Sequence, residues 1–407
     1  MVRPTILQIK QIYYPFLAAF GVPANLLTIL ILARGNCSLS KCISAYMVAM
    51  AAADLMVMIF NIILYNICTY NFPHSFLSYT AVCKFTIYFN STSLHMSVWF
   101  TTLFTFDRFV AICCQRFKTK YCTVRNAAVV ITTVSVLLSL QNLPYFFAFQ
   151  SAQIINNIDW GCQPRQDFFS SLVGVGFSWL QSILSNWIPF SLILLFNCLT
   201  VRRIVVASRA RRALRGHSSE NQSDPEMESR RNSIILLFSV SGSYIVLWLT
   251  PIVSFLTTGL TDRARYRGDY VDPKYIATET GYMLMYLSSC ANTCIYAATQ
   301  TKFRDEIKMI VKSVWTFREY LQMMRNYGME WQIWHCTERS LHIESRLSTS
   351  GNLEGINYVY SMDECNADIE RVLQMKELCT QELIYFSHYR KRRTLDDGKC
   401  VQLDLLM

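Results

Sequence analysis

The residues that most restrict what this chain can do are an Asp-Arg pair, Asp107-Arg108, and a cysteine twenty-five residues ahead of the arginine, Cys83. The sequence between them is largely apolar, and as α-helix it measures about 38 Å, the length of one tilted membrane crossing. A carboxylate and a guanidinium ending such a helix are costly unless they pair and face the cytoplasm. Two roles fit: an ordinary couple of interfacial charges, or a lock in which the acid restrains a permanently charged arginine. Two further ionisable groups, Asp54 and His95, stand well inside apolar sequence. Asp54 needs a partner, a proton or a cation to be tolerated there. Fifteen cysteines make no CxxC pair and no Cys/His cluster with metal-ligand spacing. Most lie in apolar stretches, where free cysteine acts as a small hydrophobe.

Those groups have to be carried by membrane helices. The chain has 407 residues, 52% hydrophobic and 16% charged, against about a quarter charged in an ordinary soluble protein. Segments such as 21–33 and 233–256 contain no Asp, Glu, Lys or Arg. Seven apolar spans are expected at roughly 12–33, 44–69, 83–114, 125–149, 174–203, 232–257 and 275–300, giving an all-α membrane protein with a seven-transmembrane helix bundle. Pro23, Pro144, Pro189 and Pro251 fall inside spans, as membrane helices tolerate. The first apolar run begins near Ile12 and is too long for a cleaved leader, so it is expected to act as a signal anchor. Four regions follow: an extracellular terminus 1–11, the bundle 12–300, a short amphipathic cytoplasmic helix 301–312, and a tail 313–407 with no assigned fold. Within the cytoplasmic helix, charge alternates with Ile, Phe and Val at helical spacing, which suits the inner membrane face.

The net charge of +10 is placed at helix ends, and no basic stripe interleaves with aromatics, so a nucleic-acid partner is not expected. Segments 34–43, 115–125, 202–231 and 302–312 hold 18 Lys and Arg, whereas 1–11, 70–82, 150–173 and 257–274 hold 7. The positive-inside rule then sets the amino terminus outside and the carboxyl terminus in the cytoplasm. Cys83 stands at the outer end of the third span, and Cys162 lies in the next outer loop, an oxidising compartment. Either a disulfide pins that loop onto the span, or two thiols remain unpaired.

SLHMSVWFTTLFTFDRFVAIC (93–113), together with GVPAN, AAADL and NTCIY, resembles the rhodopsin-like (class A) G-protein-coupled receptors. Over roughly residues 12–312 the third-span string, with GVPANLLT and AMAAADL, is similar to an orphan subgroup related to receptors for tryptophan and phenylalanine. The resemblance implies that Asp107, Arg108 and Phe109 are the switch triplet, with Phe109 replacing the usual Tyr. Asn292 and Tyr296 would belong to the same switch, Asn25 would be the first-span asparagine, and Phe303 would begin the cytoplasmic helix. It also implies a sodium pocket at Asp54 with Ser97, Asn292 and Ser288 or Ser289; the alternative is a protonated or solvated Asp54. A heterotrimeric G protein, arrestin, receptor kinases, membrane lipid and a small extracellular ligand are the implied partners, and the plasma membrane the implied location. Apart from that ion, no cofactor is expected.

The sequence departs from the family at several places. Thr293 replaces the seventh-span proline, Leu249 stands where the toggle Trp is usual, and Trp248 is displaced by one position. Asn197 replaces a Tyr, the fourth span has no Trp, and Arg231 sits where some receptors carry an acid. Asn90, Gln181, Tyr282 and Tyr286 are expected to face one outer ligand cavity, or else to be packing polar groups. Asn90 stands where amine receptors carry Asp, which points to an amino acid or short peptide rather than a biogenic amine. Glu279, one turn above Tyr282, is placed to pair a ligand amine, but is read in preference as a solvated acid at a loop edge. No enzymatic activity is expected. A seven-helix transporter or channel is the alternative, but repeats and a line of membrane-depth charges are missing. A retinal photoreceptor is excluded because no lysine lies between Lys274 and Lys302 for a Schiff base.

Overall fold

The computed structural model describes residues 4–35, 37, 39–72, 75–214, 225–258 and 270–327. The long helices are α1 (Thr5–Ala33), α2 (Lys41–Cys68), α3 (Thr80–Cys113), α4 (Val124–Ala148), α5 (Leu172–Ala210), α6 (Pro225–Thr258), α7 (Pro273–Thr299) and α8 (Thr301–Tyr327). Six regions, on α1 to α6, are long and apolar enough to cross a membrane. The seventh, α7, is enriched in Thr, Ser, Tyr and Asn and carries Lys274 and Glu279. That polarity sits where a helix faces its neighbours rather than lipid. By contrast, Phe16, Leu172, Val173 and Val246 are exposed, as lipid-facing side chains should be.

The expected spans match these helices with shifted ends. α1 starts seven residues earlier than expected and α6 starts at Pro225. The cytoplasmic helix expected at 301–312 runs instead through Thr301–Tyr327. The chain divides into two units, 1–311 and 312–407; in the second, the described residues continue this helix. The rest of the tail, residues 328–407, lies outside the described residues, as do 215–224 of the basic cytoplasmic connection.

Prolines explain two of the three irregularities. Pro144 ends the regular part of α4 at Asn142, and a short turn, Tyr145–Ala148, follows. In α5 a π turn, Ile183–Trp187, precedes Pro189. There the Ile188 amide reaches back to the Ile183 carbonyl, and Pro189 has no N–H for the Leu184 carbonyl. Trp99 of α3 supplies the missing donor, its Nε1 bonding Leu184 O at 3.0 Å. The broken helix is therefore stitched to α3, as buried backbone requires. The π stretch Met58–Cys68 in α2 has no proline, and nothing in the sequence marks it.

Two apolar clusters fill the bundle. One, with Tyr46, Met50, Phe104, Leu236, Tyr296 and Phe303, lies toward Arg108. The other, with Tyr14, Met58, Val98, Trp248, Ile252 and Tyr286, lies toward Cys83. Helices α6 and α7 meet most closely at Gly281, where an added Cβ would stand 3.0 Å from the Pro251 Cα. Only a residue without a side chain allows that approach.

At the Cys83 end, strands β1 (Phe149–Gln150), β2 (Gln153–Ile155), β3 (Ile158–Trp160) and β4 (Gln163–Pro164) form two small antiparallel pairs. Cys162 is joined to Cys83 by a disulfide with Cα atoms 6.1 Å apart. The loop is docked beside it: Gly161 N donates to Ser78 O at 2.7 Å, Thr80 Oγ1 donates to Gly161 O at 2.8 Å, and Trp160 packs edge-on to Tyr79. Gly161 has φ +67°, a left-handed turn suited to glycine. The cross-link spans 79 residues of sequence, so its loss should cost on the order of 2–5 kcal/mol. Cys162→Ala and Cys83→Ala should each lower surface expression, and the double variant should resemble the singles. Wild-type surface levels in all three would show that the neighbouring hydrogen bonds suffice.

Candidate functional site

The end of α3 holds a closed charge pair. Asp107 is fully buried and Arg108 nearly so. Arg108 donates to Asp107 Oδ2 from both Nε, at 3.1 Å, and Nη2. The other carboxylate oxygen accepts from Cys42 Sγ of α2 at 3.3 Å. Cys42 had no assigned role in the sequence; its only signal was a thiol at the start of a span. Phe109 stacks on Phe196 of α5, 5.5 Å between centroids. Tyr296 is buried, with its hydroxyl 4.0 Å from Met50 Sδ and its ring edge-on to Phe303. It therefore belongs to the α2–α7–α8 packing and not to the Arg108 pair. Arg231 is exposed. Arg304 closes α7, its Nη1 donating to the Ala297 and Ala298 carbonyls at 3.0 and 2.9 Å.

One step deeper, Asp54 is completely buried between α3 and α7. Oδ1 accepts from Ser97 Oγ, and Oδ2 from Asn292 Nδ2 at 2.8 Å. Ser289 is buried beside this carboxylate. Ser288 donates to Met285 O at 2.6 Å and accepts from Trp248 Nε1 at 3.0 Å. A cavity of about 10 Å³ is lined by Ser97, Thr101, Ser243, Tyr244, Ser288 and Asn292, room for about one water-sized particle. Hydroxyl and amide oxygens are donors a hard cation takes; the cavity lining supplies these, while the Asp54 carboxylate is bonded to two of its lining residues, Ser97 and Asn292.

The departures from the family pattern have structural outcomes. Trp248 is buried and stacked on Tyr244, 5.1 Å between centroids, whereas Leu249 is 50% exposed. The indole thus faces the bundle from the displaced position. Thr293 bonds Thr28 of α1 at 2.9 Å, and Asn25 Nδ2 donates to Ser289 O at 3.0 Å. The α1–α7 seam is polar where a proline is usual. Asn197 Oδ1 accepts from Ser241 Oγ at 2.9 Å, linking α5 to α6.

A second buried polar group joins α3, α4 and α5. Asn142 Nδ2 bonds Leu138 O at 2.7 Å and His95 Nδ1 at 3.0 Å, while its Oδ1 accepts from Ser91 Oγ at 2.8 Å and Gln181 Nε2 at 3.2 Å. The Ser185 hydroxyl donates to Gln181 O and also meets His95 Nε2. The bonding assigns the tautomer: Nδ1 accepts from Asn142, so Nε2 carries the proton and donates to Ser185. Every hydrogen-bonding position of the Asn142 amide is used.

A family profile described as 7 transmembrane receptor (rhodopsin family) matches residues 24–296, from the first span to Tyr296. The chain belongs to this family. Human G-protein coupled estrogen receptor 1 is 24% identical over 74% of this chain and 74% of its own length. Rat somatostatin receptor type 5 is 24% identical over 78% of this chain and 79% of its own. The allatostatin-A receptor of Bombyx mori is 22% identical over 76% and 81%. The protein is thus a multi-pass membrane receptor of the G-protein-coupled class, and the transporter or channel alternative falls away. None of these relatives is a receptor for an aromatic amino acid, so the narrower subgroup expected from the third-span string finds no support among them.

Within this receptor the four expected ligand residues do not converge. Gln181 is buried in the Asn142 group. Asn90 gives its carbonyl to Asn61 Nδ2 at 3.2 Å. Tyr286 is buried edge-on to Tyr14 of α1, with Tyr282 stacked beside it. Glu279, expected to be solvated, pairs with Lys10 at 2.6 Å. Helical spacing placed each residue on an inward face, but it did not tell which neighbour that face meets. Truncating the centre of the α3–α4–α5 group tests its weight. Asn142→Ala removes four side-chain hydrogen bonds, three of them to other helices; these three, worth ~0.6 kcal/mol each in membrane proteins, make about 2 kcal/mol together. The melting temperature in detergent should fall by several degrees, and Asn142→Ala with His95→Ala should cost clearly less than the sum of the singles. Additive costs would mean that the two side chains are not coupled.

Proposed function

We propose that this receptor binds a small extracellular ligand, an amino acid or short peptide and not a biogenic amine, and activates a heterotrimeric G protein through Arg108. The observation that carries the reading is the buried Asp107–Arg108 pair, closed on itself at the end of α3. A guanidinium keeps its charge in any setting and makes several directional hydrogen bonds. Released from Asp107, it needs a new acceptor, and a G-protein backbone at the open helix ends would supply one. In this reading the Arg108 end is cytoplasmic and the amino terminus is outside, supported by the 18-to-7 distribution of Lys and Arg. Arrestin and receptor kinases would act on the same side. The relatives' names, for estrogen, somatostatin and allatostatin-A, differ too much to choose a ligand.

Asp54, Ser97, Ser288 and Asn292 would hold an allosteric sodium ion. A bound cation would supply the positive charge that a buried carboxylate otherwise lacks and would favour the packing of α7 seen here. Asp54 and Asn292 would then tie α2 to α7 in the resting state.

Two measurements test this. Arg108→Ala should abolish G-protein nucleotide exchange at normal surface expression, while Asp107→Asn should raise exchange without ligand. Wild-type exchange by Arg108→Ala at equal surface level would remove the mechanism. For the ion, thermal stability of the purified receptor should be higher in sodium than in N-methylglucamine, and Asp54→Asn should lose that difference. Equal stability of the wild type in both buffers would leave Asp54 as a polar hinge only.

A further inference from the structure

The Cys83 end contains a cavity of about 580 Å³, bounded by α1, α2, α3 and the β1–β4 loop. Its size lies in the usual range for small-molecule sites, about 300–1,000 Å³. Lys10 is the one charged side chain among its lining residues, which include no acid. Leu7, Lys10 and Tyr14 approach it on a single α1 face, at the three- and four-residue spacing that makes helical neighbours. Tyr14, Tyr65 and Trp160 give it aromatic walls. Ser78 also lines it, and its Oγ is buried with no hydrogen-bond partner among the described residues.

The charge at this wall is held in reserve. Lys10 Nζ lies 2.6 Å from Glu279 of α7 and 5.7 Å from the centre of the Tyr14 ring, and both charged side chains are mostly buried. An ammonium has three donors, so one acid on the α7 side leaves others for the cavity side. Partly desolvated charges interact more strongly than exposed ones.

We propose that this cavity is a binding site for a small organic anion, with Lys10 receiving its carboxylate and Tyr14, Tyr65 and Trp160 enclosing an aromatic or aliphatic body. The ligand's carboxylate competes with Glu279 for Lys10, so occupancy loosens the tie between α1 and α7. The site rests on the receptor reading above for the side from which the ligand arrives, but not for its chemistry.

The test uses the full chain in lipid nanodiscs and matched pairs of 3-phenylpropanoate, 3-(indol-3-yl)propanoate and N-acetylphenylalanine with their neutral amides. At least one acid should bind saturably and about tenfold or more tighter than its amide. Lys10→Met should reduce that acid to the level of its amide, Lys10→Arg should restore most of the preference, and Glu279→Gln should tighten acid binding several-fold. Basal nucleotide exchange that depends on Arg108 reports that each variant is folded. No acid preferred over its amide, or a preference that survives Lys10→Met, overturns the site. If that happens while Arg108-dependent exchange persists, the cavity fails and the receptor reading stands. If acids bind as expected but Arg108→Ala and wild type exchange alike, the site stands and the switch fails.

Discussion

A polar group in the hydrocarbon core has no water to fall back on, and each one must find its partner inside the bundle. The architecture of this receptor is largely the record of how that is done. Pro189 costs α5 a donor, and Trp99 replaces it across the α3 interface. Thr293, standing where a proline would remove a donor, bonds Thr28 instead and ties α7 to α1. Asp54 recruits Ser97 and Asn292 from two other helices. Each unmet group thereby becomes an interhelical contact at a fixed depth, and dispersion between apolar side chains fills the space between.

The degree of satisfaction separates the parts of the bundle by role. The Asn142 amide is saturated, with partners on three helices, and has nothing left to offer an incoming molecule. Around Asp54 the carboxylate has two partners and a small polar void nearby. At the Cys83 end a large cavity borders a lysine and an unmet serine hydroxyl. The bundle therefore grades from a saturated polar centre to regions where hydrogen-bonding positions remain open.

The fold and the Asp107–Arg108 pair were readable because their signals are local. Apolar length marks the spans, and the distance from Cys83 to Arg108 fixes one crossing. The Asp107–Arg108 contact needs only adjacent residues. What could not be read is lateral. Gln181 faces inward as expected, but its partner Asn142 belongs to α4, and helical period says nothing about which helix is adjacent. Likewise Tyr286 meets Tyr14 of α1, a contact between residues 272 apart in sequence that helical spacing does not reveal. Glu279 looked solvated because Lys10 is 269 residues away in sequence.

The contact of Gly281 with Pro251 makes α6 a lever with a defined fulcrum. A Cβ at Gly281 would stand 3.0 Å from the Pro251 Cα, so the two backbones approach closely there. From Pro251 to Arg231 the helix arm is about 30 Å long, so a rotation of roughly 10° moves its far end by about 5 Å. The Ser241–Asn197 bond that joins α6 to α5 sits about 15 Å along that arm, midway between the pivot and the tip. A tie placed there has half the mechanical advantage it would have at the tip, and it is a single hydrogen bond of modest worth, ~0.6 kcal/mol. A rotation of that size at Pro251 would carry the Arg231 end through several ångströms.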